Sequence, residues 1–258
     1  MMTEVKGLVI RCVDYRETDR LITIFTEEMG VLTALARGAR SFKSRKMSST
    51  LQFCYSKFIL YQKGDYYWIK EAELIESFFD LRKSIDGLAL AAYIVDVLSD
   101  VTVAVQENEL LRLSLNCLFA IANSKYSLEK IKAAFEIRAA SILGFMPDVL
   151  TCSYCGERLG TFYLDIMGGF LKCYKCNTEQ AEMHTEDENP HESHIVCILS
   201  EAAKIALGYC IHSPIEKIFS FNIPDEDMHL FADAAEEYLL NQLERSFKTL
   251  DFYKEVKA

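Results

Sequence analysis

The chain has 258 residues, half of them apolar, and a formal net charge of −10. That length allows two or three small domains with real cores, and it excludes a disordered or low-complexity protein. The acidic balance argues against a chain that coats nucleic acid over its whole surface. The opening residues lack a charged region followed by an apolar run, so no secretory signal is expected. The most apolar window, residues 88–105, is interrupted by Asp96, Ser99 and Asp100 and reads as a buried helix. A soluble cytoplasmic protein is the expectation.

The first 75 residues hold five short β-rich runs, at 7–13, 21–26, 31–36, 51–61 and 66–70. Glu28-Met29-Gly30 and Gly64-Asp65 supply turns between them. Five short strands in about 80 residues fit a small closed barrel of the OB-fold type, a common nucleic-acid platform. Fold alone leaves function open.

Charge is unevenly spread. Residues 1–80 hold 12 Lys+Arg against 11 Asp+Glu, whereas residues 81–258 hold 16 against 27. Glu28 and Asp65 bracket 36 residues without an acid, carrying Arg37, Arg40, Lys43, Arg45, Lys46, Lys57 and Lys63. A charge run alone is more often a solvated loop. Here, however, the cations of residues 37–46 are mixed with Gly and Ser, whose free amides can approach phosphates, and Phe42 offers a stacking face. The run lies between two predicted strands, the second rich in Phe53, Tyr55, Phe58 and Tyr61. Cations beside aromatics on a sheet suit single-strand binding. Asp14, Glu17 and Asp19 lie among Arg16 and Arg20. A magnesium-dependent nuclease is one reading of those carboxylates, and local ion pairing or turn capping the simpler one.

Beyond residue 80 the apolar period becomes helical. Leu111, Leu115, Leu118 and Ala122 share one stripe, and Ile131, Ala134, Phe135 and Ile142 another, with Ser127 as its cap. Gly144 and Pro147 stop that helix. Further on, Ser200 caps a helix through Ile205 and Tyr209, ended by His212-Ser213-Pro214. A last helix starts near Asp225 with Met228, Phe231, Ala235, Tyr238 and Leu239 on one face. No phosphate loop, His-Glu-x-x-His or nucleophile elbow is present, so a binding protein rather than an enzyme is expected.

Between the helical stretches stand Cys152/Cys155 and Cys173/Cys176, two Cys-x-x-Cys pairs separated by 17 residues. Each pair can place two sulfurs on one turn, and the intervening chain can return as a hairpin to close a tetrahedral four-thiolate zinc site. Such a site has no open position and serves structure only. Disulfides are disfavoured because nine cysteines are odd in number and Cys12, Cys54, Cys117, Cys197 and Cys210 stand singly. A redox dithiol would want its pair opening a helix after a strand, whereas both pairs here read as turn-rich. His184, His191 and His194 fall in an acidic segment that reads as solvated loop. Lys172 and Lys175 beside the second pair give slight support to a zinc-ribbon transcription or adaptor protein that meets DNA through its metal module.

The residues also carry a family resemblance. Gly7-Leu8-Val9-Ile10-Arg11, Asp14-Tyr15-Arg16-Glu17-Thr18-Asp19-Arg20-Leu21, Phe25-Thr26, Gly30, and Ala36-Arg37-Gly38-Ala39-Arg40 with Lys43-Ser44-Arg45 resemble the N-terminal signature of the bacterial RecO family of DNA repair proteins. The resemblance implies an α+β chain: an N-terminal five-stranded OB-fold barrel, then an all-α domain carrying an inserted four-Cys zinc module. The implied parts are a DNA-binding barrel at 1–80, helices at 81–150, the zinc module at 151–180 and closing helices at 181–258. It implies a recombination mediator that binds single- and double-stranded DNA, anneals complementary strands and, with RecR, helps load RecA onto strands coated by single-strand-binding protein, whose acidic C-terminal tail it contacts. Arg37, Arg40, Lys43, Arg45 and Lys46 would be the cations on the DNA backbone, in a cytoplasmic, nucleoid-associated protein without a membrane partner. The acidic second half makes extended DNA contacts there less expected.

Overall fold

The computed structural model describes residues 2–64, 66–101, 108–183 and 195–257. The acidic segment with His184, His191 and His194, Asp65 of the predicted turn, and residues 102–105 of the apolar window lie outside them. The described chain divides into two compact units, Met1–Ser124 with Phe247–Ala258, and Lys125–Ser246. Among the described residues no helix is long and apolar enough to cross a membrane.

The first unit opens with β1 (Met2–Tyr15), β2 (Asp19–Thr26), β3 (Gly30–Ala36), β4 (Tyr55–Lys63) and β5 (Tyr66–Glu76). They close a barrel in the order β1-β2-β3-β5-β4, with β3 and β5 parallel and the other pairings antiparallel. That is the connectivity of an OB-fold. Alternation sends Val5, Val9, Ile22, Ile24, Leu32, Ala34, Phe58, Leu60 and Ile69 inward, so the barrel interior is a packed side-chain core. Gly7 is required where β1 crosses β2: a Cβ there would lie 2.5 Å from Ile24 Cγ2 and 2.7 Å from the Phe25 carbonyl oxygen. The β2–β3 turn is held by the Thr26 hydroxyl, which accepts from Met29 N at 2.9 Å and donates to Gly30 O at 2.8 Å.

Two boundaries differ from the sequence reading. β1 begins five residues before the predicted start because Met2 to Lys6 pair with β4. The fourth strand starts at Tyr55 rather than residue 51, because residues 37–54 form a succession of turns instead of strand. Phe53 there has a left-handed φ of 70°. Its N–H donates to Val9 O at 3.0 Å, and its side chain is buried. Helices α1 (Ile85–Val101), α2 (Asn108–Ala122) and α7 (Lys248–Lys257) complete the unit. α7, absent from the sequence reading, packs on α1: Phe247 meets Tyr93 ring to edge at 5.8 Å, and Thr249 Oγ1 donates to Asp96 at 2.7 Å.

The second unit contains α3 (Leu128–Ile142), α5 (Glu201–His212) and α6 (Asp225–Leu243), plus a four-stranded sheet ordered β6-β8-β7-β9. Ser127 and Ser200 are N-caps as predicted, accepting from Lys130 N and Ala203 N. The sheet comprises β6 (Asp148–Cys152), β7 (Phe162–Asp165), β8 (Phe170–Cys173) and β9 (Val196–Leu199), with α4 (Tyr174–Met183) after β8. β9 was not legible in the sequence. Its four residues lack a clear alternation, and it is a strand because it pairs with β7. Between α3 and α6, buried Lys132 joins Glu136 at 2.9 Å and Glu236 at 2.7 Å.

Candidate nucleic-acid interface and metal centre

The basic segment is an ordered loop joining β3 to β4. Its order comes from the β1–β2 hairpin. Asp19, 8 % exposed, accepts from Gly38 N at 2.8 Å, where Gly38 adopts φ 63°. Arg40 N donates to Thr18 O at 2.9 Å. Arg20 reaches in the other direction, donating to Met47 O at 2.7 Å and Thr50 Oγ1 at 3.1 Å. Asp14 lies between Arg20 and Arg40, at 3.8 and 3.3 Å. The acidic-and-arginine run of the hairpin is therefore the cradle of the basic loop, a role the sequence reading did not assign. Among the described residues, only the four cysteines gather three or more metal-ligand groups, so Asp14, Glu17 and Asp19 do not converge on a common ion. Ion pairing accounts for Asp14 and the Gly38 N–H for Asp19.

The five predicted cations fall into distinct states. Arg37 is exposed, and its guanidinium lies over the Trp68 ring, 4.3 Å from the centroid. Lys43 and Arg45 are exposed, and none of these three has an acid within ion-pair distance among the described residues. Arg40 is compensated by Asp14 and donates to Arg16 O at 3.0 Å. Lys46 is partly buried and reaches Ile69 O at 3.4 Å. Burial lowers its ammonium below the usual lysine range, with Asp19 partly opposing. Lys57, also unopposed in sequence, pairs with Glu4 at 2.9 Å across β1 and β4. The acid-free stretch is thus partly neutralised from elsewhere in the barrel. Arg45 and Lys46 also line a groove of about 790 Å³ on the β4–β5 surface, with Lys57, Lys70, Glu71 and Glu73. Phe42 at the loop tip is 94 % exposed, an apolar ring presented to solvent beside three unpaired cations.

In the second unit, Cys152 closes β6, Cys155 follows in the adjoining turn, Cys173 closes β8, and Cys176 sits in the first turn of α4. Their sulfurs all lie within 4.8 Å of one another, with Cys155 Sγ 3.6 Å from Cys173 Sγ. A tetrahedral ion with metal–sulfur bonds of about 2.3 Å separates its sulfurs by about 3.8 Å, so the arrangement fits one ion and can hold a metal. Gly156, at φ 76°, makes the first knuckle, donating to Cys152 O at 2.9 Å. Burial acts to raise the Cys152 thiol, but N–H donors at Cys155, Cys173 and Tyr154 outweigh it and bring it down to about 6. Contact with the Cys155 sulfur, burial and the Cys173 sulfur push the Cys176 thiol the other way, so the proton load of the cluster is unequal.

The second pair corrects the sequence reading: Cys173-Tyr174-Lys175-Cys176 does open a helix after a strand. Its sulfurs nevertheless converge with those of the first pair, which a two-sulfur redox site does not require. The single cysteines behave differently. Burial raises the thiols of Cys12, Cys54, Cys197 and Cys210, Cys197 to about 11, and keeps them protonated. Lys172 is held by buried Asp165 at 3.3 Å and Lys175 by Glu179 at 3.8 Å, so the cations beside the second pair are locally neutralised. That removes the support for a DNA face on the metal module.

These features define a class: an OB-fold barrel with a cradled basic loop, followed by a helical region that carries a four-cysteine metal-binding cluster. The sequence matches the family Recombination protein O N terminal over residues 1–78 and Recombination protein O C terminal over residues 82–251. It is 34 % identical to the DNA repair protein RecO of Acetivibrio thermocellus over 250 residues, 96 % of this chain and 94 % of the relative. The RecO of Alkaliphilus metalliredigens is 31 % identical over 69 % of this chain and 73 % of its own. That of Clostridium acetobutylicum is 25 % identical over 98 % of this chain and 97 % of its own. The chain belongs to the RecO family of DNA repair proteins.

Proposed function

We propose that this protein is a recombination mediator that binds single- and double-stranded DNA through the sugar–phosphate backbone and anneals complementary strands. With RecR it helps load RecA onto strands coated by single-strand-binding protein, whose acidic C-terminal tail it contacts. It does so in the cytoplasm, at the nucleoid, without hydrolysing DNA. The DNA-contacting part is the barrel, residues 1–80, with Arg37, Lys43 and Arg45 meeting phosphates most directly and Arg40 and Lys46 shaping the loop beside them. The observation that carries this reading is the basic loop, held rigid by Asp19 and Arg20 while Arg37, Lys43 and Arg45 stay without acidic partners.

Cations that neutralise phosphates release counterions, which yields affinity without sequence readout and a steep salt dependence. Two strands held by such contacts keep their base edges free to pair. The four cysteines hold zinc. Zinc bound there ties β6, β8 and α4 together and offers no vacant position for substrate. Fluorescence-monitored annealing of complementary oligonucleotides over a salt series tests the proposal with wild type and the Arg37→Ala/Arg40→Ala/Lys43→Ala variant. Loss of annealing by a variant that retains its fold supports it, and equal annealing by both refutes it.

A further inference from the structure

The outer face of the barrel carries a continuous apolar row. In the pairing register Val13 lies opposite Leu21, Leu21 opposite Leu35, Leu35 beside Trp68, and Trp68 opposite Tyr61. The residues next in sequence, Ile22, Ala34, Ile69 and Leu60, are buried in the core, so by alternation this row faces outward. Val13 is 43 % and Leu21 37 % exposed. An apolar row on the solvent side of a small barrel contributes nothing to its core.

A layered column stands on that row. Tyr61 and Trp68 are stacked with centroids 6.2 Å apart and planes 20° from parallel, and the Arg37 guanidinium lies over the indole, 4.3 Å from its centroid. The indole Nε1 has no hydrogen-bond partner among the described residues, so stacking rather than a hydrogen bond sets the ring. Arg37 is exposed and unopposed by any acid among those residues. A guanidinium centred over an aromatic ring sets a planar, delocalised cation beside a π-face, which matches an unpaired nucleobase attached to a phosphate.

We infer that the Arg37–Trp68–Tyr61 column is a base-stacking site for unpaired nucleobases, with Trp68 as the positioning residue that holds the Arg37 plane. This rests on the nucleic-acid reading above and adds a distinction to it. Phosphate contact alone treats single and double strands alike, apart from charge density, whereas a duplex keeps its base faces covered. The column therefore biases the barrel toward single strands.

The test compares fluorescence anisotropy of the full-length protein with three labelled ligands: oligothymidylate, an abasic oligomer of equal length, and a hairpin duplex with the same number of phosphates. Wild type is expected to bind oligothymidylate about tenfold more tightly than the abasic strand, the effect of one stacked base. Arg37→Lys keeps the charge and removes the plane. It should bring that ratio close to one while the slope of affinity against salt is retained. Trp68→Leu should reduce the ratio likewise, whereas a merely structural role for Trp68 would weaken all three ligands in proportion. A wild-type ratio near one, or a ratio that survives Arg37→Lys, overturns the inference and leaves backbone binding standing. If none of the three ligands is retained, the nucleic-acid reading falls and this inference with it. Should Trp68→Leu fail to fold, the exposed Arg37→Lys substitution decides alone.

Discussion

Asp19 offers the sharpest perturbation of the interface, because it shapes the basic loop without contributing positive charge. Its carboxylate is 8 % exposed and accepts from Gly38 N at 2.8 Å and Thr18 Oγ1 at 3.2 Å. Replacing it with alanine removes a charge-assisted hydrogen bond and leaves the Gly38 N–H without its acceptor, a loss of about 2 kcal/mol. For a chain of this size that lowers the melting temperature of the barrel's unit by about 4–8 °C. Asp14→Ala is the matched control. Asp14 is 60 % accessible, and its pairs with Arg20 and Arg40, at 3.8 and 3.3 Å, are screened by solvent on its side and contribute about 0–1 kcal/mol. With its tether gone, the loop must be ordered on binding, so single-strand affinity of Asp19→Ala should fall by about tenfold although every cation remains. Circular dichroism melts and anisotropy titrations on both variants make the comparison. If Asp19→Ala binds and melts as wild type does, or if Asp14→Ala costs as much as Asp19→Ala, the cradle has been assigned wrongly.

Cys173→Ser should lose bound metal, measured by atomic absorption, and destabilise the second unit. Annealing should persist in whatever fraction stays folded, since the metal contacts no predicted DNA ligand. Lys132→Met leaves Glu136, which is fully buried, and Glu236 without the ammonium they share, and should destabilise by about 3–5 kcal/mol in urea unfolding. The same ammonium sets a pH dependence. Burial pulls its pKa down, but Glu136 and Glu236 outweigh that and raise it. A raised folded-state value means the contribution is fully present below the usual lysine range and is lost as pH climbs through the folded value, so wild type should lose stability on the alkaline side more than Lys132→Met does. Gly7→Ala should cost about 1–3 kcal/mol, because its Cβ would meet the Phe25 backbone oxygen as well as a movable Ile24 methyl.

What the sequence made legible follows from where the signal is local. Strands β1 to β5 announce themselves as short β-rich runs between turn residues, the caps Ser127 and Ser200 by residue type, and the metal cluster by the doubled Cys-x-x-Cys spacing. The parts that escaped depend on partners distant in sequence. β9 becomes a strand only through β7, α7 is fixed by its docking on α1, and Phe53 leaves an apparent strand because Val9 takes its N–H. The same logic governs the interface. Composition picked out the seven cations, but which are spent depends on Asp14 and Glu4, 26 and 53 residues from Arg40 and Lys57 respectively. Tyr61 was legible as one of the strand aromatics beside the cations, but only the barrel register sets it against Trp68, and only the fold brings Trp68 under Arg37. Asp14 and Asp19 resembled a metal site in sequence because carboxylates that hold a loop and carboxylates that hold an ion share one residue type.

If the three unopposed cations of the β3–β4 loop grip sugar–phosphate chains by charge, their removal must change how binding depends on salt. The most direct measurement is the slope of log affinity against log salt for a single strand, taken for wild type and for Arg37→Ala/Lys43→Ala/Arg45→Ala. Each neutralised phosphate contributes about −0.7 to that slope, so the variant should bind more weakly and its slope should be shallower by about 2. Retention of both the affinity and the wild-type slope by a folded variant would contradict the account.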